Sequence, residues 1–122
     1  MPVAAEFEYF RGQVVWAELD PTQGKEYSGR RPALVISTDA HIELVQDLLI
    51  ILPITTTNRG WPNHIEVKPA DLLSKPSWVV TEQPRTISRN RIKKVGGVVD
   101  RVTIEEVDRW LTLFTKSLPE RK

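Results

Sequence analysis

The sequence predicts a mainly β chain, an antiparallel sheet or small barrel finished by one C-terminal amphipathic helix. Three observations predict it. Six short runs rich in β-branched and apolar residues follow one another between residues 12 and 100. Gly, Pro, Asn, Ser and Asp punctuate those runs, as turns require. From residue 103 the apolar spacing changes from that of a strand to that of a helix.

In chain order the runs are GQVVWAEL (12–19), RPALVIS (31–37), DLLIILPI (47–54), NHIEVKP (63–69), SWVVTEQ (77–83) and VGGVVD (95–100). A long polar loop, DPTQGKEYSGR (20–30), separates the first two, and its glycines suit a functional loop that folds over a ligand. PADLLS (69–74) reads as one short helix. Ile104, Val107, Leu111, Phe114 and Leu118 form the stripe of the last helix, with Trp110 beside them. Thr103 and Glu106 match a capping box, and Pro119 ends the helix. Trp16 is expected in the core. Trp61, between Gly60 and Pro62, is expected either to pack or to stack on a ligand.

Composition narrows the function. With 122 residues, 40% hydrophobic and 27% charged, the chain is expected to form one domain with one core. No cysteine is present, which removes disulfides, thiolate metal sites and a thiol nucleophile, and fits a reducing cytoplasm. The longest apolar run, LLIILPI (48–54), is too short to span a bilayer, and MPVAAEFEYF lacks the pattern of a signal peptide. Formal net charge is only +1, but the charges are segregated. Residues 1–20 carry one basic group against four acids, whereas residues 85–101 carry six against Asp100 alone. Such segregation focuses a positive field on part of a surface.

Three stretches at strand boundaries carry candidate chemistry: GKEYSGRRP (24–32), PITTTNRG (53–60) and TEQPRT (81–86). Arg31, held extended by Pro32, is a fixed two-pronged donor, and Thr55 adds a hydroxyl at the end of a buried run. Together they suit a phosphate. Arg30 is either solvated or an accessory contact. The two histidines offer little: His41 in DAHIEL has no partner signature, and His64 is expected to face solvent beside Glu66 and Lys68. No spacing of ligands suggests a metal, and no cofactor is expected.

These residues carry a resemblance. RGQVVWAELDPTQGKEYSGRRPALVIS, ILPITTTNRGWPNHIEV and VVTEQPRTIS, followed by the closing helix, are similar in order and spacing to the MazF/PemK family of toxin endoribonucleases. The similarity runs from about Arg11 to Leu118. It implies residues 11–118 as one toxin domain, 1–10 as an N-terminal extension and 119–122 as a short tail. It also implies a compact SH3-like β-barrel, a homodimer, single-stranded RNA as substrate, and a cognate antitoxin with an acidic flexible segment. The family's catalytic arginine and threonine fall on Arg31 and Thr55, and its loop glutamate on Glu26. Gln83 and Arg85 fall on positions near bound RNA. Arg30, Asn58, Trp61 and Thr86 complete the expected RNA contacts, with Arg89, Lys93 and Lys94 as further phosphate contacts. Pro84 departs from the family's usual aliphatic residue and, lacking an amide, must sit where no ladder bond is needed.

RNA brings its own nucleophile, the 2′-hydroxyl, so the implied reaction needs neither cysteine nor metal. Glu26 either accepts the 2′-proton or pairs with Arg30 or Arg31. A guanidinium is a poor base at neutral pH, which leaves Arg31 an electrostatic role. The alternative is a non-catalytic module on the same barrel, like the CcdB-type gyrase poisons.

Overall fold

The structure is a computed structural model that describes residues 7–19 and 30–116. The elements are β1 (Gln13–Glu18), β2 (Arg30–Val35), α1 (Asp39–Leu44), β3 (Leu48–Thr55), β4 (His64–Glu66), β5 (Trp78–Val80), β6 (Arg85–Ser88), β7 (Ile92–Val98) and α2 (Arg101–Thr115). Short 3₁₀ turns lie at Ala70–Leu72 and Arg89–Arg91. All strand pairs are antiparallel, in the order β4-β5-β3-β2-β1-β7, and β6 also pairs with β3. The mainly β class with a closing helix is therefore present, as a seven-stranded sheet. Among the described residues no ladder joins β4 to β7, so the sheet curls without closing.

Alternation explains the core. Val14, Leu34 and Leu52 point into one apolar cluster, whereas Val15, Ala33, Val35 and Ile51 point into a second on the opposite face. Both faces of β1 to β3 are buried, which is why these strands read as continuous apolar runs. Helix α2 lays Val107 on the first cluster, flanked by Ile104 and Leu111. Complete burial of a side chain such as Val107 contributes about 1.5–3 kcal/mol. Ile87 of β6 and Ile92 of β7 cover the second cluster, joined by Phe7 and Tyr9 from the segment before β1.

Several local expectations change. Helix α2 begins at Arg101, and its cap is Asp100, which accepts from the Thr103 amide at 2.9 Å and from its hydroxyl at 2.6 Å. Thr103 is thus the recipient of the cap, and Glu106 pairs with Arg109. Trp16 is half-buried, not central: its ring packs over Gly96, where an added Cβ would lie 2.8 Å from it, and the Lys94 ammonium sits 4.7 Å from its centroid. Phe114 is 48% exposed, so the helix stripe leaves the core near its C-terminal end.

Candidate active site

The register of two strands places the first pair of site residues. β2 and β3 align Ala33 with Pro53, Leu34 with Leu52 and Val35 with Ile51. Continued past Ala33, the same register sets Arg31 abreast of Thr55. Because faces alternate, Arg31 shares the side of Ala33 and Val35, Thr55 that of Ile51, and Arg85 that of Ile87. All three continue the line of the second core cluster, beginning where its apolar side chains stop. They open onto a cleft of about 550 Å³.

β5 and β6 lie end to end along one edge of β3: β5 pairs with Ile54 and Thr55, and β6 with Leu48 to Ile51. The chain turns through 81–84 between them, and Pro84 falls in that gap, exposed and outside both ladders. Its missing amide costs nothing there. A second turn packs beside the first. The Thr81 hydroxyl donates to the Asn63 carbonyl (2.7 Å), and the Asn63 amide nitrogen donates to Glu82 Oε1 (2.7 Å). Gly60, at φ 74°, lets the chain reverse before Trp61.

The cleft is lined by Arg31, Thr55, Trp61, Gln83 and Arg85 among the expected residues. The Thr55 hydroxyl also accepts from the Thr57 amide at 3.1 Å, which orients it. Other expected contacts lie elsewhere. Arg30 is exposed opposite Glu18, Thr86 is exposed in register with Ile50, and Asn58 uses its Oδ1 to accept from the Gly60 amide at 2.9 Å. None of the three lines the cleft. Glu26 lies outside the described residues. Arg89 is engaged in structure: it donates to the carbonyls of Ile42 (2.6 Å), Val45 (3.1 Å) and Leu48 (3.2 Å).

Three polar lining residues were not expected: Arg59, His64 and Glu82. His64 does not face solvent. Its side chain is 3% exposed, its Nε2 lies 3.1 Å from both oxygens of Glu82, and the Trp61 ring covers it with centroids 4.8 Å apart. Alternation rightly set His64 against Ile65, but both sides of β4 are covered, one by the core and the other by these turns. Partial burial pushes the Glu82 carboxyl upward, yet hydrogen bonds from His64, its own backbone amide and Asn63, with the charge of His64, outweigh it and hold it below its usual range.

Among the described residues, three guanidinium groups, Arg31, Arg59 and Arg85, thus share the cleft with one carboxylate, Glu82, which is engaged by His64 and Asn63. Such a surface is built for a polyanion with an aromatic-faced component. Among the described residues no group of three His, Cys, Asp or Glu could hold a metal ion, and no helix is long and apolar enough to cross a membrane.

The chain is thus a curled antiparallel sheet with a cationic cleft walled on one side by Trp61. Residues 10–115 match the family described as the PemK-like, MazF-like toxin of type II toxin-antitoxin systems, and the chain belongs to that family. It is 33% identical over 105 residues to the endoribonuclease MazF of Staphylococcus saprophyticus, covering 84% of this chain and 88% of that protein. Its fold is similar to MazF in the crystal structure of a MazE-MazF pair from Deinococcus radiodurans (TM-score 0.75, 28% identity), which covers 92% of this chain and all of that one. MazF alone from the same organism superposes similarly (TM-score 0.74, 26% identity, the same coverage).

Proposed function

We propose that this chain, a toxin endoribonuclease of the MazF kind, cuts single-stranded RNA at particular short sequences without a metal ion. The observation that supports this reading is that Arg31 and Thr55 line one cleft with Trp61, Gln83 and Arg85. The 2′-oxygen attacks the adjacent phosphorus, its proton passing to a base. The bond from phosphorus to the 5′-oxygen breaks, and that oxygen takes up a proton. The products are a 2′,3′-cyclic phosphate and a 5′-hydroxyl.

Negative charge grows on the non-bridging oxygens during attack. Arg31 offers a forked donor to both of them and Thr55 a second donor, its hydroxyl, to one of the two. Preorganised donors of this kind lower the barrier by about 3–4 kcal/mol each. Trp61 stacks an unpaired base, Gln83 reads a base edge, and Arg85 holds a flanking phosphate. The enzyme works as a homodimer in the cytoplasm. A cognate antitoxin silences it by laying an acidic, flexible segment in the same cationic cleft.

Incubating the purified protein with single-stranded RNA in excess chelator tests the reading. Fragments with 2′,3′-cyclic phosphate and 5′-hydroxyl ends are expected, with cuts at one short motif. Deoxyribose at the cut position should abolish cleavage there. Intact RNA would instead favour a non-catalytic binding module, and cleavage of the deoxyribose strand at the same link would refute the 2′-hydroxyl route.

A further inference from the structure

Among the described residues one carboxylate, Glu82, lines the cleft beside three arginines, and a carboxylate in that company ordinarily forks onto a guanidinium. Glu82 does not. Among the described residues its partners are Asn63, its own backbone amide and the Nε2 of His64, which faces both its oxygens at 3.1 Å. An ionised carboxylate only accepts, so Nε2 carries a proton and is the donor, and Nδ1 is the nitrogen on the far side of the ring. That Nδ1 is buried with no hydrogen-bond partner, an arrangement native proteins avoid unless another requirement fixes the residue. Packing alone would be served better by an apolar ring. The requirement is visible in the geometry: the histidine is pinned under Trp61 and aimed at the cleft carboxylate.

We propose that His64 is a positioning residue of the RNA cleft, holding the Glu82 carboxylate on the wall so that it does not compete with RNA phosphate for Arg31, Arg59 and Arg85. This rests on the reading that the cleft binds RNA. Without the Nε2 donor, the carboxylate turns toward the guanidinium groups and occupies the place of the phosphate. The histidine therefore acts on affinity through Glu82, and removing the charge of Glu82 makes it dispensable.

The test uses a single-stranded RNA that the wild-type protein cuts, with deoxyribose at the cut position, and reads the dissociation constant by fluorescence anisotropy. His64→Phe keeps the ring volume and drops the donor, and should weaken binding about tenfold. His64→Phe with Glu82→Gln should return to within about twofold of wild type, and His64→Gln, which keeps an N–H donor, should stay within about threefold. Wild-type affinity in folded His64→Phe, or a loss that Glu82→Gln does not reverse, overturns the proposal. Should His64→Phe fail to fold by circular dichroism, Asn63→Ala replaces it: a loss of about threefold reversed by Glu82→Gln is expected. No loss, or no reversal, overturns the proposal in the same way. If the wild-type protein itself neither binds nor cuts RNA, the reading of the cleft falls, and this proposal with it.

Discussion

Arg85 and Arg89 stand at and just beyond the two ends of one short strand, β6, in a segment whose basic residues look alike in sequence. At one end Arg85 opens onto the cleft with Arg31 and Thr55. At the other, Arg89 donates to the carbonyls of Ile42, Val45 and Leu48 and lies 5.1 Å from the Tyr9 ring centroid, knitting α1 to the sheet. The histidines divide in the same way. His64 belongs to the cleft corner, whereas His41 sits in α1 with its Nδ1 2.9 Å from the Ser37 hydroxyl. Charge alone therefore does not mark an RNA surface. What separates the corners is place: Arg85 lines the cleft, whereas the Arg89 donors end on backbone carbonyls.

The sharpest way to break this division is at the cleft. Arg31→Ala should lower cleavage by about 10²–10³, with unchanged far-ultraviolet circular dichroism, and Thr55→Ala should follow somewhat behind. Arg31→Lys should also lose most activity, because a point charge cannot replace a fork. Wild-type rates in either alanine variant would move the chemistry away from this corner. Next in size, Arg89→Ala should cost about 1–3 kcal/mol of unfolding free energy in urea, since it strands carbonyls at the end of α1. Its rate per folded molecule should not change. If stability stays intact and RNA affinity drops, the two corners are not distinct.

Arg85→Ala tests the other side of the comparison with a smaller effect. Binding to uncleavable RNA should weaken severalfold, and the slope of log affinity against log salt should flatten by about 0.7, the signature of one phosphate contact on a single strand. Arg89→Ala should leave that slope alone. Equal slopes in both variants would mean that Arg85 reads something other than a phosphate.

What sequence reasoning reached and missed follows the same split between local and distant causes. The long runs of β1, β2 and β3 and the stripe of α2 were legible, because alternation and helical spacing are local properties. The matched motifs brought Arg31 and Thr55 forward, and both line the cleft at the ends of β2 and β3, strands that pair directly. Helix α1 was missed because DAHIEL has no apolar stripe: no residue in it is buried, and its ends are held by the Thr38 cap and by Arg89, far along the chain. β6 was missed because Pro84 and a polar run disguise four residues that pair only with distant β3. His64 was misplaced for a related reason. Period two states that His64 and Ile65 face opposite ways, but not that a turn eighteen residues later covers the histidine.

The smallest effect probes how Glu82 is held. Its carboxyl lies below the ordinary value near 4.5, so the folded state binds its proton less readily than the unfolded chain does. The sign follows: this group adds stability above the ordinary carboxylate range and loses it as pH falls through the lower folded value. In a thermal melt series from pH 7 to pH 3, Glu82→Gln should differ most from wild type at neutral pH, by no more than about 4 °C. The gap should close toward pH 3. Asp100 is also held low, chiefly by its hydrogen bonds from Thr103, but it is common to both proteins and cancels in the difference. A gap that stays constant with pH would mean that Glu82 gains nothing from its charge. The grip of His64 on it would then be no stronger than that on a neutral amide, and the cleft corner would lose the electrostatic order that sets it apart from the corner of Arg89.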